Sequence, residues 1–499
     1  MVSNNRPLKI LFIASEVEGL VKTGGLADVA YALPKALLAA GHDVRIVMPA
    51  YQKTQETWQA WPSELRMLKL SEFYSSKIRF RSGEHEDIPM IAIEHPESFA
   101  RNGIYDDGNH GFDDNAKRFG VLSKSALYWC KHASWQPDIV HGNDWQSALA
   151  IFYLAEHYKH DEFFANTRSV LSLHNAAYQG HASDKWLQTV GIHEKFFNLD
   201  DFEDHGHLNL LKGALSFADS VCTVSPGYAS ELLTPEGGHG IYFKFQQLDQ
   251  LTGILNGCDY SQWDPENDPW LAHHYASPED SGKAENKAAL QKELNLPISS
   301  EIPLLVTICR LVEQKGIQLM IPMLWQLMRV AECQVAILGS GDKKLAAALN
   351  ELHAHYPERI RFIEGYDVGL SHRMEAGGDA FLMPSVFEPC GLNQIYSLRY
   401  GTLPLVRNTG GLKDSVTRLS ASQRNIKSAN GFAFDEIDDK AFLQETLRML
   451  NVYTNKPKLW KQMQANAMAL RFDWESATKK YEKLYLSTLK KPKRSHPLL

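Results

Sequence analysis

The chain has 499 residues, 44% hydrophobic and 22% charged, with a formal net charge of -7 and a pI near 6.3. That length favours two or more compact domains, and the composition is that of a globular enzyme rather than a fibrous or disordered chain. The mild acidity gives no electrostatic footprint for nucleic acid, so an anionic ligand would have to be held by a local cluster of cations and backbone amides.

Near the N-terminus the apolar run Ile10 to Ala14 is too short for a secretory signal, and no later run approaches the roughly 18 apolar residues of a membrane span. Cys130, Cys222, Cys258, Cys309, Cys333 and Cys390 form no C-x-x-C pair and no zinc spacing, which fits buried thiols in a reducing cytoplasm and no metal site. Short Val/Ile/Leu-rich runs then alternate with helical segments. The pattern predicts strands at Leu8–Ser15, Val44–Pro49, Ile139–Gly142, Ser169–His174 and Ser220–Ser225. A second series follows at Leu304–Arg310, Gln334–Gly339, Ile360–Glu364, Ala380–Pro384 and Leu403–Arg407. Near-continuous apolar strands followed by helices mark parallel sheets covered on both faces, and ten are too many for one compact sheet. The expected fold is therefore α/β, with two Rossmann-like doubly wound domains, and the turn-rich NGCDYSQWDPENDP marks a boundary near 256–265. Trp474 to Leu489 reads as a last helix, followed by a basic tail expected to be frayed and solvated.

In such sheets ligands bind beyond the C-terminal ends of the strands, so the loops there are the place to look for chemistry. After the first strand, KTGGL places Lys22, Gly24 and Gly25 before a helix, where backbone amides and a full charge suit a phosphate; an ordinary turn is the competing reading. Pro34 predicts a kink or break in that helix near Ala30. Asp144, after the third strand, could cap the next helix or accept hydrogen bonds from sugar hydroxyls, and Trp145 beside it could be a sugar platform or core. His174 closes the fourth strand. Arg310 and Lys315 lie in one strand-to-helix loop, where two cations could grip a diphosphate. Glu388 sits in a Pro-flanked turn, and Gly391 is expected to start the next helix, offering its amide and that of Leu392.

The runs KTGGLADV, HGNDWQSAL, LHNAAYQG, TVSPGYASEL, GILNGCDYSQWDP, CRLVEQKG and FEPCGLNQIYSLRYGTLP, in this order, closely resemble bacterial glycogen synthase and plant starch synthase from about Leu8 to Tyr485. The resemblance implies the GT-B arrangement, with two Rossmann-like domains facing a deep cleft: 1–255 on the acceptor side, 256–470 for the nucleotide sugar, and a helix within 471–499 crossing back to the first. It implies transfer of glucose from ADP-glucose to the non-reducing end of a glycogen-type α-1,4-glucan, with retention and without metal or cofactor. Lys22, Gly24 and Gly25 would bind the phosphate and glucose region, and Arg310 and Lys315 would neutralise the leaving diphosphate. Glu388 would hold sugar hydroxyls. Asp144, His174 and Asn256 would contact the glucosyl unit, Tyr366 would lie against the adenine, and Cys390, Gly391 and Leu392 would line the donor site.

The chain departs from the usual pattern at Asn143, often His, at Asn393, commonly Thr, and at Tyr396, where related families carry a second Glu; SEVEGLVKTGG also lacks a proline often found before the lysine. Competing readings are a UDP-glucose or small-acceptor transferase, a glucan phosphorylase, whose pyridoxal-phosphate lysine motif is not recognisable, and a non-catalytic glucan-binding protein.

Overall fold

The computed structural model describes residues 6–108 and 110–493. Among them the chain divides into two compact units, one from Met1–Val224, Ala229–Ile254 and Trp474–Leu499, the other from Ser225–Tyr228 and Leu255–Asp473.

The first unit is built on β1 (Lys9–Ile13), β2 (Asp43–Pro49), β3 (Ser63–Lys69), β4 (Ser75–His85), β5 (Ile88–Glu94), β6 (Ile139–Asn143), β7 (Arg168–Leu173), β8 (His181–Ser183), β9 (Glu203–Asp204), β10 (His207–Asn209), β11 (Ser220–Thr223) and β12 (Leu251–Gly253). Nine of these form one sheet in the order β12-β11-β7-β6-β1-β2-β5-β4-β3, and β8, β10 and β9 pair separately. β1 is central and buried because Ile10 to Ile13 present apolar side chains to both faces. Strand order reverses between β1 and β6, so the loops after these two strands open on either side of a topological switch point.

The sequence did not announce β3 to β5, which extend the sheet by two antiparallel pairings. Only Ile78 and Phe80 of β4 are buried among its charged residues, and the β4–β5 turn is Glu86-Asp87, both with positive φ, instead of a glycine-containing pair. The helix Gly25–Ala39 runs through Pro34 without the expected break. Its loss is confined to the one bond Pro34 cannot donate, while Leu33, Leu37 and Val29 stay buried against the sheet.

The helix Trp474–Leu489 belongs to this unit. Its Tyr485 hydroxyl lies 2.7 Å from His141 Nδ1, and His141 Nε2 lies 2.6 Å from Ser172 Oγ, all buried beneath the sheet. Glu482 meets His42 Nε2 at 3.0 Å. The start of the basic tail is docked, not frayed: Lys491 Nζ reaches Ser220 Oγ at 3.2 Å and its carbonyl accepts from Arg168 at 3.2 Å. The rest of the expected tail, 494–499, lies outside the described residues. Tyr485→Phe leaves a buried imidazole nitrogen without its partner, a cost of about 1–3 kcal/mol. The expected outcome is faster amide exchange in β6 with exchange in the second unit unchanged; unaltered β6 protection would show that the hydroxyl contributes nothing.

The second unit carries β13 (Leu304–Ile308), β14 (Gln334–Gly339), β15 (Ile360–Glu364), β16 (Ala380–Met383), β17 (Leu403–Arg407) and β18 (Phe432–Phe434), all parallel, in the order β15-β14-β13-β16-β17-β18. This is the doubly wound Rossmann order, with its switch point between β13 and β16. Apolar clusters cover both faces of the sheet, one around Met320, Leu324 and Phe442, the other around Leu290, Met374 and Phe381. The turn-rich segment expected to mark the domain boundary is folded onto this unit. Trp263 is sandwiched between His372 at 3.8 Å and Tyr396 at 3.9 Å between ring centroids, and Arg399 holds Asp264 and Glu266, each at 2.7 Å.

Candidate active site

In the first unit the loop after β1 is a small closed structure. Val17 and Val21 exchange backbone hydrogen bonds at 3.0 and 2.9 Å, and Glu16, buried, accepts from the Thr23 amide, from Thr23 Oγ1 at 2.6 Å and from the Tyr105 hydroxyl at 2.5 Å. Gly24 and Gly25 follow, and a Cβ at either would meet nothing within 4 Å. These glycines therefore leave open space at the N-terminus of Gly25–Ala39, whose cap position makes no side-chain hydrogen bond. Lys22 stands beside them, paired with Glu18 at 2.6 Å and Asp28 at 2.8 Å. Burial works to lower its pKa, but the two carboxylates outweigh this and raise it, so the ammonium is fixed as a cation.

Asp144 does not use its side chain as a helix cap. Its Oδ1 instead accepts from the amides of His174 at 2.6 Å and Asn175 at 3.4 Å, tying the end of β6 to the end of β7. Its backbone has φ of 52°, a costly conformation for a non-glycine residue and one that clusters at functional sites. Burial pushes its carboxyl up to about 7, against the lowering effect of the two amides. His174 lies beside it. Asn143 spends its amide N–H on the Ile13 carbonyl at 2.9 Å, so its Oδ1 faces His174 Nε2, also at 2.9 Å, as an acceptor. The ring consequently carries its proton on Nε2, and burial drops its pKa to about 3, leaving a neutral imidazole with Nδ1 as acceptor. The unusual Asn143 thus sets a tautomer. Trp145 is core: it packs edge-on against Phe119 at 4.9 Å and fills the space above Gly180.

In the second unit the loops after β13 and β16 meet. Lys315 Nζ donates to Glu388 Oε2 at 2.6 Å, and Ser385 Oγ donates to the same oxygen at 3.0 Å. Gly316 makes this approach possible: its φ is 71°, and a Cβ there would lie 1.9 Å from the Pro384 carbonyl oxygen. The turn carrying Glu388 is clamped from behind by Arg407, which donates to the Ser385 carbonyl at 2.8 Å and to that of Val386. Ser225 Oγ donates to the Pro389 carbonyl at 2.5 Å. Arg310 is exposed, and its side chain makes no hydrogen bond or ion pair among the described residues.

The helix expected to begin at Gly391 begins at Asn393, because Gly391 has φ of 73° and Leu392 is the cap. The amides of Gly391 and Leu392 have no acceptor among the described residues. Asn393 Nδ2 closes β13 by donating to the Ile308 carbonyl at 2.6 Å. Cys390 is buried, its thiol pushed up to about 12 by burial despite a hydrogen bond from the Asn256 amide, and Asn256 Oδ1 is buried without a partner. Tyr366, 72% exposed, stands just past the end of β15.

The expected site residues thus fall into two sets. Lys22, Gly24, Gly25, Asp144 and His174 lie in the first unit, where Asp144 and His174 are in contact. Arg310, Lys315, Tyr366, Glu388, Cys390, Gly391, Leu392 and Asn256 lie in the second, where Lys315 meets Glu388 and Cys390 meets Asn256. Sequence reasoning missed Glu16, Ser385 and Arg407. Only Glu16 carried a usable signal, an acidic residue immediately past a strand end.

Residues 9–246 match the family model of the starch synthase catalytic domain, and residues 292–468 match that of the group 1 glycosyl transferases. A glycogen synthase from Aeromonas salmonicida is 44% identical over 97% of this chain and 99% of its own length. One from Photobacterium profundum is 40% identical over 96% and 94%. Among solved structures, the catalytic domain of starch synthase IV from Arabidopsis thaliana, bound to ADP and acarbose, superposes with a TM-score of 0.85 and 32% identity, covering 97% of this chain and all of that one. A sucrose-phosphate synthase from Thermosynechococcus elongatus, at 17% identity and TM-score 0.59 over 96% and 98%, shares the fold alone.

Proposed function

We propose that this chain, which belongs to the family of bacterial glycogen synthases and plant starch synthases, lengthens an α-1,4-glucan by transferring glucose from ADP-glucose to its non-reducing end with retention. What carries the reading is the loop pair at the switch point of the second unit, where Lys315 meets Glu388, with Arg310 in the same loop as Lys315 and the open amides of Gly391 and Leu392 following Glu388 in its turn. That is the equipment for a sugar diphosphate: an unengaged guanidinium, an ammonium, two free N–H groups and a carboxylate for hydroxyls.

Cleavage of the glucose–phosphate bond leaves positive charge on the sugar ring and negative charge on the departing ADP. Arg310 and Lys315 then interact more strongly with the transition state than with bound donor, which is what lowers the barrier. In this reading Glu388 binds sugar hydroxyls rather than acting as a covalent nucleophile, which its Oε2, already engaged by Lys315 and Ser385, supports. Tyr366 offers an exposed ring to the adenine, and the unpartnered Asn256 Oδ1 accepts a hydroxyl. Lys22 and the open Gly24–Gly25 backbone serve the phosphate and glucose region, and Asp144 and His174 the glucosyl unit. The acceptor attacks from the face of the leaving group, whose phosphate oxygen takes the proton.

The experiment is a donor panel with glycogen as acceptor, run in EDTA. Stoichiometric ADP release and lengthened glucan with ADP-glucose are expected. No ADP release, or release unaccompanied by glucan growth, would overturn the reading.

A further inference from the structure

We propose that Lys124 is a site of covalent acylation by small activated acyl donors, with His157 as the base that prepares its amine. Lys124 lies on the helix Asn115–His132, and its Nζ is 2.9 Å from His157 Nδ1. On the other side of the ring, His157 Nε2 is 2.8 Å from the Gly191 carbonyl oxygen. A carbonyl can only accept, so Nε2 carries the ring proton and Nδ1 presents a lone pair to the lysine. Carbonyl, imidazole and amine form a relay in which the second partner orients the base and the base faces the nucleophile.

The surroundings favour the neutral amine. No carboxylate lies within ion-pair distance of Lys124 among the described residues, and neighbouring Asp161 is taken by Lys131. Lys131 also sits over the Tyr158 ring at 5.9 Å, while Lys124 sits over that ring at 4.5 Å, so a second cation shares its ring. The two rings do attract an ammonium, Tyr153 standing 4.8 Å away on the other side. Burial outweighs this and takes the lysine down to about 8, while burial and then the lysine's charge take His157 down to about 4.

A backbone irregularity builds the arrangement. Residues Tyr153–His157 form a π-helical turn, with the Tyr158 amide donating to the Tyr153 carbonyl at 2.9 Å. The wider turn groups Tyr153, His157 and Tyr158 around one amine, and such turns are frequent at functional sites. The pair remains reachable, since His157 is exposed and Lys124 partly so.

In the reaction the Lys124 nitrogen attacks the acyl carbon and an amide bond forms. The bond to phosphate, or to sulfur in a thioester, breaks and that group leaves with its electron pair. The ammonium proton passes to His157 Nδ1 and on to water.

The test is to incubate the full chain separately with acetyl phosphate and with acetyl coenzyme A and follow acetylation of each lysine by peptide mass spectrometry. Lys124 is expected to react at least tenfold faster than exposed Lys53 and Lys77 with one or both donors, and the faster donor identifies the source. In His157→Gln, whose amide can keep both hydrogen bonds but cannot take a proton, Lys124 is expected to fall to the rate of those lysines while glucan synthesis is unchanged. Acetylation of Lys124 no faster than Lys53 and Lys77, or undiminished in His157→Gln, would sink the proposal.

Discussion

Replacing Lys315 by alanine is expected to lower kcat by about two orders of magnitude and to destabilise the second unit as well. The catalytic part follows from losing one preorganised charge at the leaving diphosphate, about 3 kcal/mol. The stability part follows from geometry: Glu388 is 5% exposed, and without Lys315 its carboxylate keeps only the Ser385 hydroxyl as a side-chain donor among the described residues. Removing one member of an enclosed pair costs ~3–5 kcal/mol, and the partial exposure of Lys315 brings the expectation towards the lower end. Glu388→Gln should cost similar activity with less stability, because the charge left without its counter-ion is that of Lys315, the more exposed partner, which keeps an amide oxygen as acceptor. The double variant Lys315→Ala, Glu388→Gln separates the two effects. Its thermal midpoint should recover above that of Lys315→Ala while activity stays low, and its loss of kcat should be smaller than the product of the single losses. Near-normal turnover in both single variants would remove the pair from the site.

The pH profile should change shape in Asp144→Asn. With its folded pKa raised to about 7, Asp144 is largely protonated at pH 6 and largely ionised at pH 8. The ionised form accepts from sugar hydroxyls and opposes the positive charge growing on the ring, so kcat/KM should rise through pH 7 and level above it. The asparagine variant keeps an oxygen for the His174 and Asn175 amides but loses the charge. It should fold, run about 10²-fold slower at pH 8, and lack the rise near pH 7. Stability changes in the opposite direction. Between about pH 4 and 7 the folded state holds a proton at Asp144 that the unfolded chain has released, so this residue's contribution to stability falls as pH rises through that window. A profile that drops through pH 7, or one unaltered in the variant, would contradict the assignment.

Much of this was legible because buried parallel strands write themselves as apolar runs. All ten expected strands are present, each within two residues of its expected ends. The rule that ligands gather beyond strand C-termini then picked out Lys22, Asp144, Arg310 and Glu388 without knowledge of strand order. What stayed hidden depended on partners distant in sequence. Lys315 and Glu388 are 73 positions apart, and nothing local says that they form a hydrogen-bonded ion pair. For Asp144 a helix cap stayed open beside the sugar-binding reading because a cap is the local solution, and the amide of His174 that it serves is 30 residues away. The strands β3 and β4 were missed for the reverse reason: their pattern is local but half-polar, and the turn from β4 into the apolar β5 lacks the usual glycine.

The last helix of the first unit is written at the far end of the gene's message. His141 and Tyr485 are 344 residues apart, with the whole second unit translated between them. A nascent chain halted near residue 470 therefore holds all six strands of the later sheet but lacks the helix that covers His141 and Ser172 in the earlier one. Although begun first on the ribosome, the N-terminal body is the one completed last, and a premature stop at Trp474 costs it this helix while the lobe just synthesised, which ends at Asp473, is whole.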